Sequence, residues 1–311
     1  MTAFVEGIAG DWERLHSKPP VANLYTMKTF LRLVMPSLLL VGPLSGAQPS
    51  EGPLAPLQQE LLSDWFAAAE PRPNEDFGEF VARVARLKQG VAYDNQVLPP
   101  GDETLRVDLS SFECVSFIES SLALARCAWV GEKNQDCFQR ELLNHRYRDG
   151  RLDGYASRLH YFTEWIQDNR RRENLEELTG SLGGEPTSRD FYYMTRLNQA
   201  HFDKDDPQAA RLREVEDRLS QTKIVVLDRE RAADGIPQVE SGDVIAFIRS
   251  GPGLAVRHAG FAWKDPSSGE IRLLHASSYH ERVVLTASDL LDYLTRRPER
   301  KGIMVARPLA P

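Results

Sequence analysis

The chain has 311 residues, of which 41% are apolar and 27% are charged, and it carries a net charge of -7. This composition is typical of a folded globular protein with one large domain or two small ones. The acidic balance argues against nucleic acid as a partner, because nucleic-acid-binding proteins need a basic face.

The N-terminal segment has the pattern of a secretory signal peptide. A short basic start at 27–32 precedes an apolar run at 33–44, and small residues follow at 45–47. We interpret Met27 as the true start, with residues 1–26 read from an upstream codon or removed with the signal. The apolar run is too short and too interrupted by proline to span a membrane. The alternative is an N-terminal helix packed on the domain.

A signal peptide predicts export to the periplasm or cell envelope. It also divides the chain into an extension with the signal at 1–47, a linker at 48–56 and a single domain at 57–311. The linker is rich in proline and glycine, which disfavour regular secondary structure.

The domain begins with a helical half and ends with strands. Apolar spacing predicts helices over 57–70, 75–89, 136–148, 159–169, 190–200 and 207–220, in addition to one that starts at Cys114. Strands are predicted at 223–227, 243–248, 256–263, 270–276 and 302–307, with a short helix at 288–294. Helices followed by sequential strands indicate an α+β fold in which the Cys114 helix packs on an antiparallel sheet.

Cys114 lies where a helix is expected to begin. Ser110 and Glu113 have the spacing of a capping box, which predicts a helix N-terminus just before Cys114. The positive end of a helix favours the thiolate, which is the nucleophilic form of cysteine. We therefore expect Cys114 to be a nucleophile. The alternative is a small buried apolar side chain.

The other two cysteines are predicted to form a disulfide. Export places the chain in an oxidising compartment, where three cysteines leave one unpaired thiol. Cys127 and Cys137 are separated by a turn-like segment at 130–134, so two antiparallel helices would bring them within bonding distance. This pairing leaves Cys114 free. The alternative is that both remain buried thiols.

His258 is the candidate general base. It lies in a predicted strand in which Val256, His258, Gly260 and Ala262 would share one face. The small residues at 260 and 262 would leave room beside the imidazole for a helix end or a substrate. Imidazole titrates near neutral pH, so it can take the thiol proton and return it to a leaving amine. A surface histidine is the alternative.

His275, on the next predicted strand, is the candidate third member. A polar group there can hold the base imidazole in one tautomer, although a histidine that only bonds to backbone is the alternative. A zinc site made of Cys114, His258 and His275 is possible by residue type. Metal sites usually have two ligands close in sequence, however, and these three lie far apart. The predicted chemistry needs no metal or organic cofactor.

These residues belong to an ordered set of motifs that resembles a known family. The set begins with Cys114-Val115-Ser116-Phe117-Ile118-Glu119. It continues with Arg158-Leu159-His160-Tyr161-Phe162 followed by Trp165, Ile166 and Asn169, with Gly242-Asp243-Val244-Ile245, with 253–260 and with His275-Ala276-Ser277-Ser278. Together they resemble the DUF1460 family, described as N-acetylmuramoyl-L-alanine amidase-like, within the NlpC/P60 group of papain-like cell-wall cysteine hydrolases.

The resemblance implies a papain-like fold with Cys114 as nucleophile, His258 as base and His275 as third member. It also implies a bacterial cell-envelope substrate, either peptidoglycan or muropeptides. From the charge and the short apolar run, we expect no nucleic-acid partner and no membrane span in the mature chain. The family's nucleophile is usually preceded by aspartate and followed two residues later by threonine. Here these positions hold Glu113 and Ser116, which keep the polar character and affect only fine positioning.

The substrate-binding residues and the bond that is cut are less constrained. Tyr161, Trp165 and Ser277 are the candidates for contacts with the substrate, although aromatic residues at helical spacing also suit a core. The family description favours the amide between N-acetylmuramic acid and L-alanine, whereas the wider group more often cuts between D-glutamate and the diamino acid. A non-catalytic envelope-binding protein with the same fold is a further alternative.

Overall fold

The computed structural model describes residues 52–95, 103–197, 206–251 and 253–311. The predicted signal peptide and residues 48–51 of the predicted linker lie outside these ranges, so those interpretations stay predictions. The helices of the described ranges are α1 (Pro56–Ala68), α2 (Phe77–Arg86), α3 (Cys114–Trp129), α4 (Gln135–Arg146), α5 (Phe162–Arg171), α6 (Pro207–Gln221), α7 (Ala232–Gly235) and α8 (Leu290–Thr295). None of the helices in this part of the chain has the length and apolar character that crossing a membrane requires.

The strands of the described ranges form one sheet of ten. They are β1 (Ala92–Tyr93), β2 (Ser111–Phe112), β3 (Leu175–Glu177), β4 (Glu185–Thr187), β5 (Ile224–Asp228), β6 (Val244–Arg249), β7 (Val256–Lys264), β8 (Ile271–Ser277), β9 (Arg282–Asp289) and β10 (Arg300–Pro308). Their order is β2-β1-β9-β8-β7-β6-β10-β5-β4, and β3 also pairs with β10. Only β1 and β2 pair in parallel among these strands. The predicted α+β class is confirmed.

Some elements differ from those predicted. β9 and the short strands β1 to β4 are absent from the predicted set, and the predicted helix at 288–294 begins only at Leu290. Asp289 ends β9 and caps α8, since its carboxylate accepts from the Asp292 N–H at 2.7 Å. The helix predicted at 190–200 is a single π-helical turn at Tyr193–Leu197, and 198–200 lie outside the described residues.

The sheet is covered on both faces. Along β10, Met304 packs in one hydrophobic cluster and its neighbour Ile303 packs in the other. That alternation is the two-residue period of a strand buried on both sides. The nucleophile helix α3 lies in the larger cluster, where the Phe117 ring meets the Phe261 ring of β7 edge to face at 5.8 Å. The start of α3 is thereby held against the middle of the sheet.

A buried ion pair and a disulfide join α3 to α4. Glu119 accepts from Arg146 Nε at 2.6 Å, and both side chains are almost fully buried. A second N–H of Arg146 donates to the backbone carbonyl of Arg106 at 2.6 Å, which ties the segment before the nucleophile to the same pair. In the structure, Cys127 and Cys137 are joined in a disulfide, with their Cα atoms 5.9 Å apart, and Cys114 is the free cysteine.

The Gly242-Asp243 motif forms a corner at the start of β6. Gly242 has φ +89°, and a Cβ there would lie 2.0 Å from the carbonyl oxygen of Gly78. Asp243 is fully buried and accepts two 2.8 Å hydrogen bonds from Arg307. The motif therefore fixes how α2 and β10 meet β6, which is a structural role.

Candidate active site

The helix of Cys114 begins where the sequence predicts, but a different residue pair caps it. Glu113 is the N-cap, and its carboxylate accepts from the N–H of Val115 at 2.8 Å and of Ser116 at 2.6 Å. The Ser116 hydroxyl accepts from the Glu113 N–H at 3.0 Å, which completes a reciprocal capping box. Glu113 and Ser116, the two positions that differ from the aspartate and threonine expected from the resemblance, are thus the two halves of the box.

The predicted box between Ser110 and Glu113 is wrong. The Ser110 hydroxyl and N–H both donate to Asp108, at 2.6 and 2.8 Å, so Ser110 stabilises the preceding turn. The spacing alone does not show which member of a chain of polar residues becomes the cap.

The Cys114 thiol is neutral at rest. Burial, followed by the charge of Glu113, raises its pKa well above the usual range, while the backbone N–H of Ala259 acts in the opposite direction. The predicted lowering of this pKa by the helix end is wrong. The main reason is that the thiol is buried, and in addition the Glu113 carboxylate accepts from the free amides of the first turn and offsets their positive charge.

The two candidate histidines contact each other directly. His258 Nε2 lies 2.7 Å from His275 Nδ1, and the rings meet edge to face with centroids 4.7 Å apart. Gly260 allows this approach, because a Cβ there would lie 2.8 Å from the Cβ of His275 and 2.7 Å from the Leu274 carbonyl oxygen. The space predicted beside residue 260 is therefore filled by the neighbouring strand, and it receives neither helix nor substrate.

Val256 does not share the face of His258. The pairing of β6 with β7 shifts between Phe247 and Ile248, so that Phe247 faces His258 and Ile248 faces Val256. The extra residue, Arg257, turns Val256 toward the cluster that contains α3, whereas the His258 ring stacks on the Phe247 ring at 6.1 Å. The strict alternation predicted for β7 fails because of this irregularity.

Both imidazoles are neutral at neutral pH. Burial, and then the positive charge of Arg300, lower the pKa of His258 to about 4. Burial, and then the charges of His258, His280 and Arg300, lower the pKa of His275 to about 2. The near-neutral titration expected from residue type alone is therefore wrong for His258, but the neutral ring is the form that accepts a proton.

The contact between two neutral rings restricts their tautomers. One of the two facing nitrogens must donate and the other must accept. If His258 donates through Nε2, its Nδ1 carries a lone pair, and this atom has no hydrogen-bond partner among the described residues. That is the tautomer a general base needs, with His275 as the acceptor that holds it.

Two tyrosines that the sequence did not single out interact with the Cys114 thiol. The pKa of Tyr93 is raised to about 12, mainly by burial and next by the charge of Cys114. The Tyr293 ring lies 5.5 Å from the His275 ring, and Cys114 also contributes to its raised pKa. The backbone N–H of Ala259, which follows His258 in β7, favours the thiolate form of Cys114. The thiol of Cys114 is therefore close to β7, the strand that carries His258, and His258 in turn contacts His275 on β8.

The predicted substrate contacts are mostly wrong. Tyr161 and Trp165 are 1% and 0% exposed, so neither can line a groove. The Tyr161 hydroxyl donates to the buried Glu216 at 2.5 Å, and the Trp165 ring stacks on Phe162 at 4.8 Å. Ser277 follows His275 by two residues on β8 and its hydroxyl contacts the exposed His280, so its role stays a prediction.

A zinc site gains no support from this arrangement. His258 and His275 direct their facing nitrogens at each other, so these atoms do not converge on a common point. Across the described part of the chain, no three His, Cys, Asp or Glu side chains are grouped in a way that would hold a metal ion.

Residues 83–303 match the family model AmiA-like, described as N-acetylmuramoyl-L-alanine amidase-like. The chain belongs to the AmiA-like family. The predicted resemblance to the amidase-like DUF1460 family is thus confirmed. Among curated proteins, a search finds no match to the chain.

Solved structures from three bacteria share the fold of this AmiA-like chain. An N-acetylmuramoyl-L-alanine amidase from Bacteroides uniformis is 29% identical with a TM-score of 0.68, over 75% of this chain and 99% of that one. A Bacteroides fragilis protein, described provisionally as a xylanase, is 32% identical with a TM-score of 0.65. The match covers 72% of this chain and 98% of that one. A Legionella pneumophila DUF1460 protein is 20% identical with a TM-score of 0.60, and the match covers 81% of this chain and 95% of that one. At this identity the likeness supports the fold alone.

Proposed function

We propose that the protein is a cysteine amidohydrolase of the NlpC/P60 papain-like type, and that it cleaves the amide between N-acetylmuramic acid and L-alanine in peptidoglycan or muropeptides. The observation that carries the proposal is the His258–His275 contact, together with a free cysteine at a helix start whose thiolate is favoured by the backbone N–H of the residue after His258. The family description supplies the choice of bond. Cys114, His258 and His275 are the proposed catalytic residues.

The reaction begins with a proton transfer from the Cys114 thiol to Nδ1 of His258. The sulfur then forms a bond to the lactyl carbonyl carbon, and the π electrons move to the carbonyl oxygen. Collapse of the tetrahedral intermediate breaks the carbon–nitrogen bond, and His258 protonates the leaving amine of L-alanine. Water, deprotonated by His258, attacks the thioester, and the thiolate leaves and regains its proton.

The electrostatics favour activation by the base over a resting ion pair. The raised pKa of Cys114 and the lowered pKa of His258 keep both groups neutral until the substrate is attacked. The Ala259 N–H stabilises the sulfur anion as it forms. The Cys114 N–H and the Tyr93 hydroxyl, which stays protonated at neutral pH, are the proposed donors to the developing oxyanion.

The proposed location is the periplasm or cell envelope. Three features support it: the signal-like segment at 27–47, the disulfide between Cys127 and Cys137, and a substrate class found in the envelope. A disulfide persists in an oxidising compartment and is reduced in the cytosol. N-terminal sequencing of exported protein tests this location, and a mature start upstream of residue 27 would contradict the signal peptide.

The bond is tested by mass spectrometry of muropeptides digested with the wild-type chain. Release of an intact stem peptide from the sugar is the expected result. Release of a dipeptide that starts with the diamino acid would instead favour the D-glutamyl endopeptidase.

Cys114→Ala, checked for native folding by circular dichroism, is the matched inactive variant. We expect it to bind muropeptides without cleaving them. Equal turnover by this variant and the wild type would exclude the cysteine mechanism. Binding without turnover by either protein would favour the non-catalytic alternative.

A further inference from the structure

Arg300, at the start of β10, is connected to the histidine pair through two aromatic rings. Its guanidinium lies 3.8 Å from the centroid of the Tyr293 ring and 5.6 Å from that of Phe247. The Tyr293 ring is 5.5 Å from the His275 ring, and the Phe247 ring is 6.1 Å from the His258 ring. Arg300 is therefore held next to the two histidines, on the face of the sheet that carries their rings.

The positive charge of Arg300 has no carboxylate partner among the described residues. One of its N–H groups donates to the backbone carbonyl of Tyr293. A guanidinium has five N–H donors in a planar fork, so donors remain for a second, planar acceptor. Arg300 is partly exposed.

The surroundings of Arg300 are positive although the whole chain is acidic. Burial is the main cause that lowers the pKa of Arg300, and Arg297 and Arg249 lower it further. Glu299 acts in the opposite direction, but its carboxylate already forms an ion pair with Arg249 at 3.7 Å. On a chain with net charge -7, a local excess of guanidinium groups beside the reacting residues attracts an anion.

Tyr293 interacts both with the guanidinium of Arg300 and with the thiol of Cys114. Tyr293 contacts Arg300 through its ring and lies within electrostatic range of Cys114. A substrate whose amide carbonyl is at Cys114 can therefore extend across Tyr293 toward Arg300. Stacking on Tyr293 and Phe247 also orders the guanidinium before binding, which reduces the entropy lost when a ligand binds.

We propose that Arg300 binds a carboxylate of the substrate and selects an acidic peptide next to the scissile amide. The inference rests on the proposed function, because stem peptides carry free carboxylates on D-glutamate and on later residues. A planar carboxylate accepts two parallel N–H bonds from a guanidinium, which gives both affinity and orientation. Arg300 is thus a specificity-determining residue.

The test compares two muropeptides that differ only in their stem carboxylates, free in one and amidated in the other. We expect the wild type to have a KM about tenfold or more lower for the free acid. Arg300→Gln should remove this preference, so that KM for the free acid rises to that for the amidated substrate. Arg300→Lys, which keeps the charge without the fork, should restore part of it. Arg296→Gln is the control, because Arg296 is exposed and bonds to Asp292.

Two results would overturn the inference. One is a wild type that cleaves both substrates with equal kcat/KM. The other is an Arg300→Gln variant whose loss appears only in kcat and equally for both substrates, since Arg300 would then act only through the histidines.

A binding assay separates this failure from that of the proposed function. Calorimetry with Cys114→Ala should show tighter binding of the free-acid peptide, and the double variant with Arg300→Gln should lose it. Absence of turnover in the wild type, with this binding preference retained, would refute the proposed reaction and support the carboxylate site.

Discussion

His258 Nε2 and His275 Nδ1 lie 2.7 Å apart, and this contact joins two adjacent strands through two neutral rings. The neutral state matters because two imidazolium rings would each have only donors to offer. One ring therefore accepts, and the other is held in a single tautomer. The same contact leaves Nδ1 of His258 as the ring nitrogen available to a thiol.

Replacing His275 should reduce turnover more than substrate binding. His275→Ala removes the acceptor that fixes the tautomer of His258, and we expect kcat to fall about 100-fold or more with little change in KM. His275→Gln, which keeps an acceptor, should retain part of the activity. Steady-state kinetics on a muropeptide checks this, together with thermal unfolding to confirm native folding. Unchanged kcat in both variants would remove His275 from the mechanism.

The pH profile of kcat/KM should have an acid limb near pH 4. His258 must be neutral to accept the thiol proton, and burial together with Arg300 lowers its pKa to about 4. Activity is therefore lost as the pH falls through about 4 and is retained through neutral pH. The raised pKa of Cys114 places no second limb in the neutral range.

Arg300→Gln should move that acid limb upward. Removing the cation removes one of the two causes that lower the pKa of His258, so the protonated ring would persist to higher pH. The measurement is kcat/KM on the amidated muropeptide between pH 3 and 8, with Arg296→Gln as the control. A limb that stays in place would show that burial alone sets the pKa of His258.

The sequence predicts the elements that carry the reacting residues well. The start of α3 and the strands β6, β7, β8 and β10 agree with their predicted ranges to within a few residues. Each is rich in apolar residues and is bounded by turn or capping residues, so local pattern suffices. The strands β1 to β4 have two or three residues each and form only because neighbouring chain supplies their partners.

The site is predicted in its residue types but not in its surroundings. Tyr93, Tyr293 and Arg300 approach the site from segments far apart in sequence, and no local pattern marks them. Tyr161 and Trp165 show the opposite failure, because aromatic residues at helical spacing fit a core as well as a groove. What the sequence lacks in both cases is the topology that decides which side chains face each other.

Breaking the buried Glu119–Arg146 pair should strongly destabilise the domain. Arg146→Met leaves the Glu119 carboxylate buried without its partner, and we expect a loss of about 3–5 kcal/mol in the free energy of unfolding. Replacing both, with Glu119→Leu and Arg146→Met, should recover much of this loss. Urea unfolding measures it, with Arg140→Met as the control, because the Arg140–Glu132 pair is exposed and worth less than about 1 kcal/mol.

Gly242→Ala should prevent stable folding, whereas the same change at another glycine of positive φ should not. A Cβ at Gly242 would lie 2.0 Å from the carbonyl oxygen of Gly78, so α2 and the start of β6 would have to separate. Gly269 has φ +73° but nothing within 4 Å of its Cβ position, so Gly269→Ala should cost only about 1 kcal/mol of backbone strain.

Comparing the thermal unfolding of the two variants isolates the cost of the clash at Gly242, because both variants share the cost of placing alanine at positive φ. We expect Gly269→Ala to unfold within a few degrees of the wild type and Gly242→Ala to be insoluble or to unfold far below it. Equal unfolding temperatures for the two variants would show that the Gly78–Gly242 approach can relax without loss, and that the motif owes its glycine to φ alone.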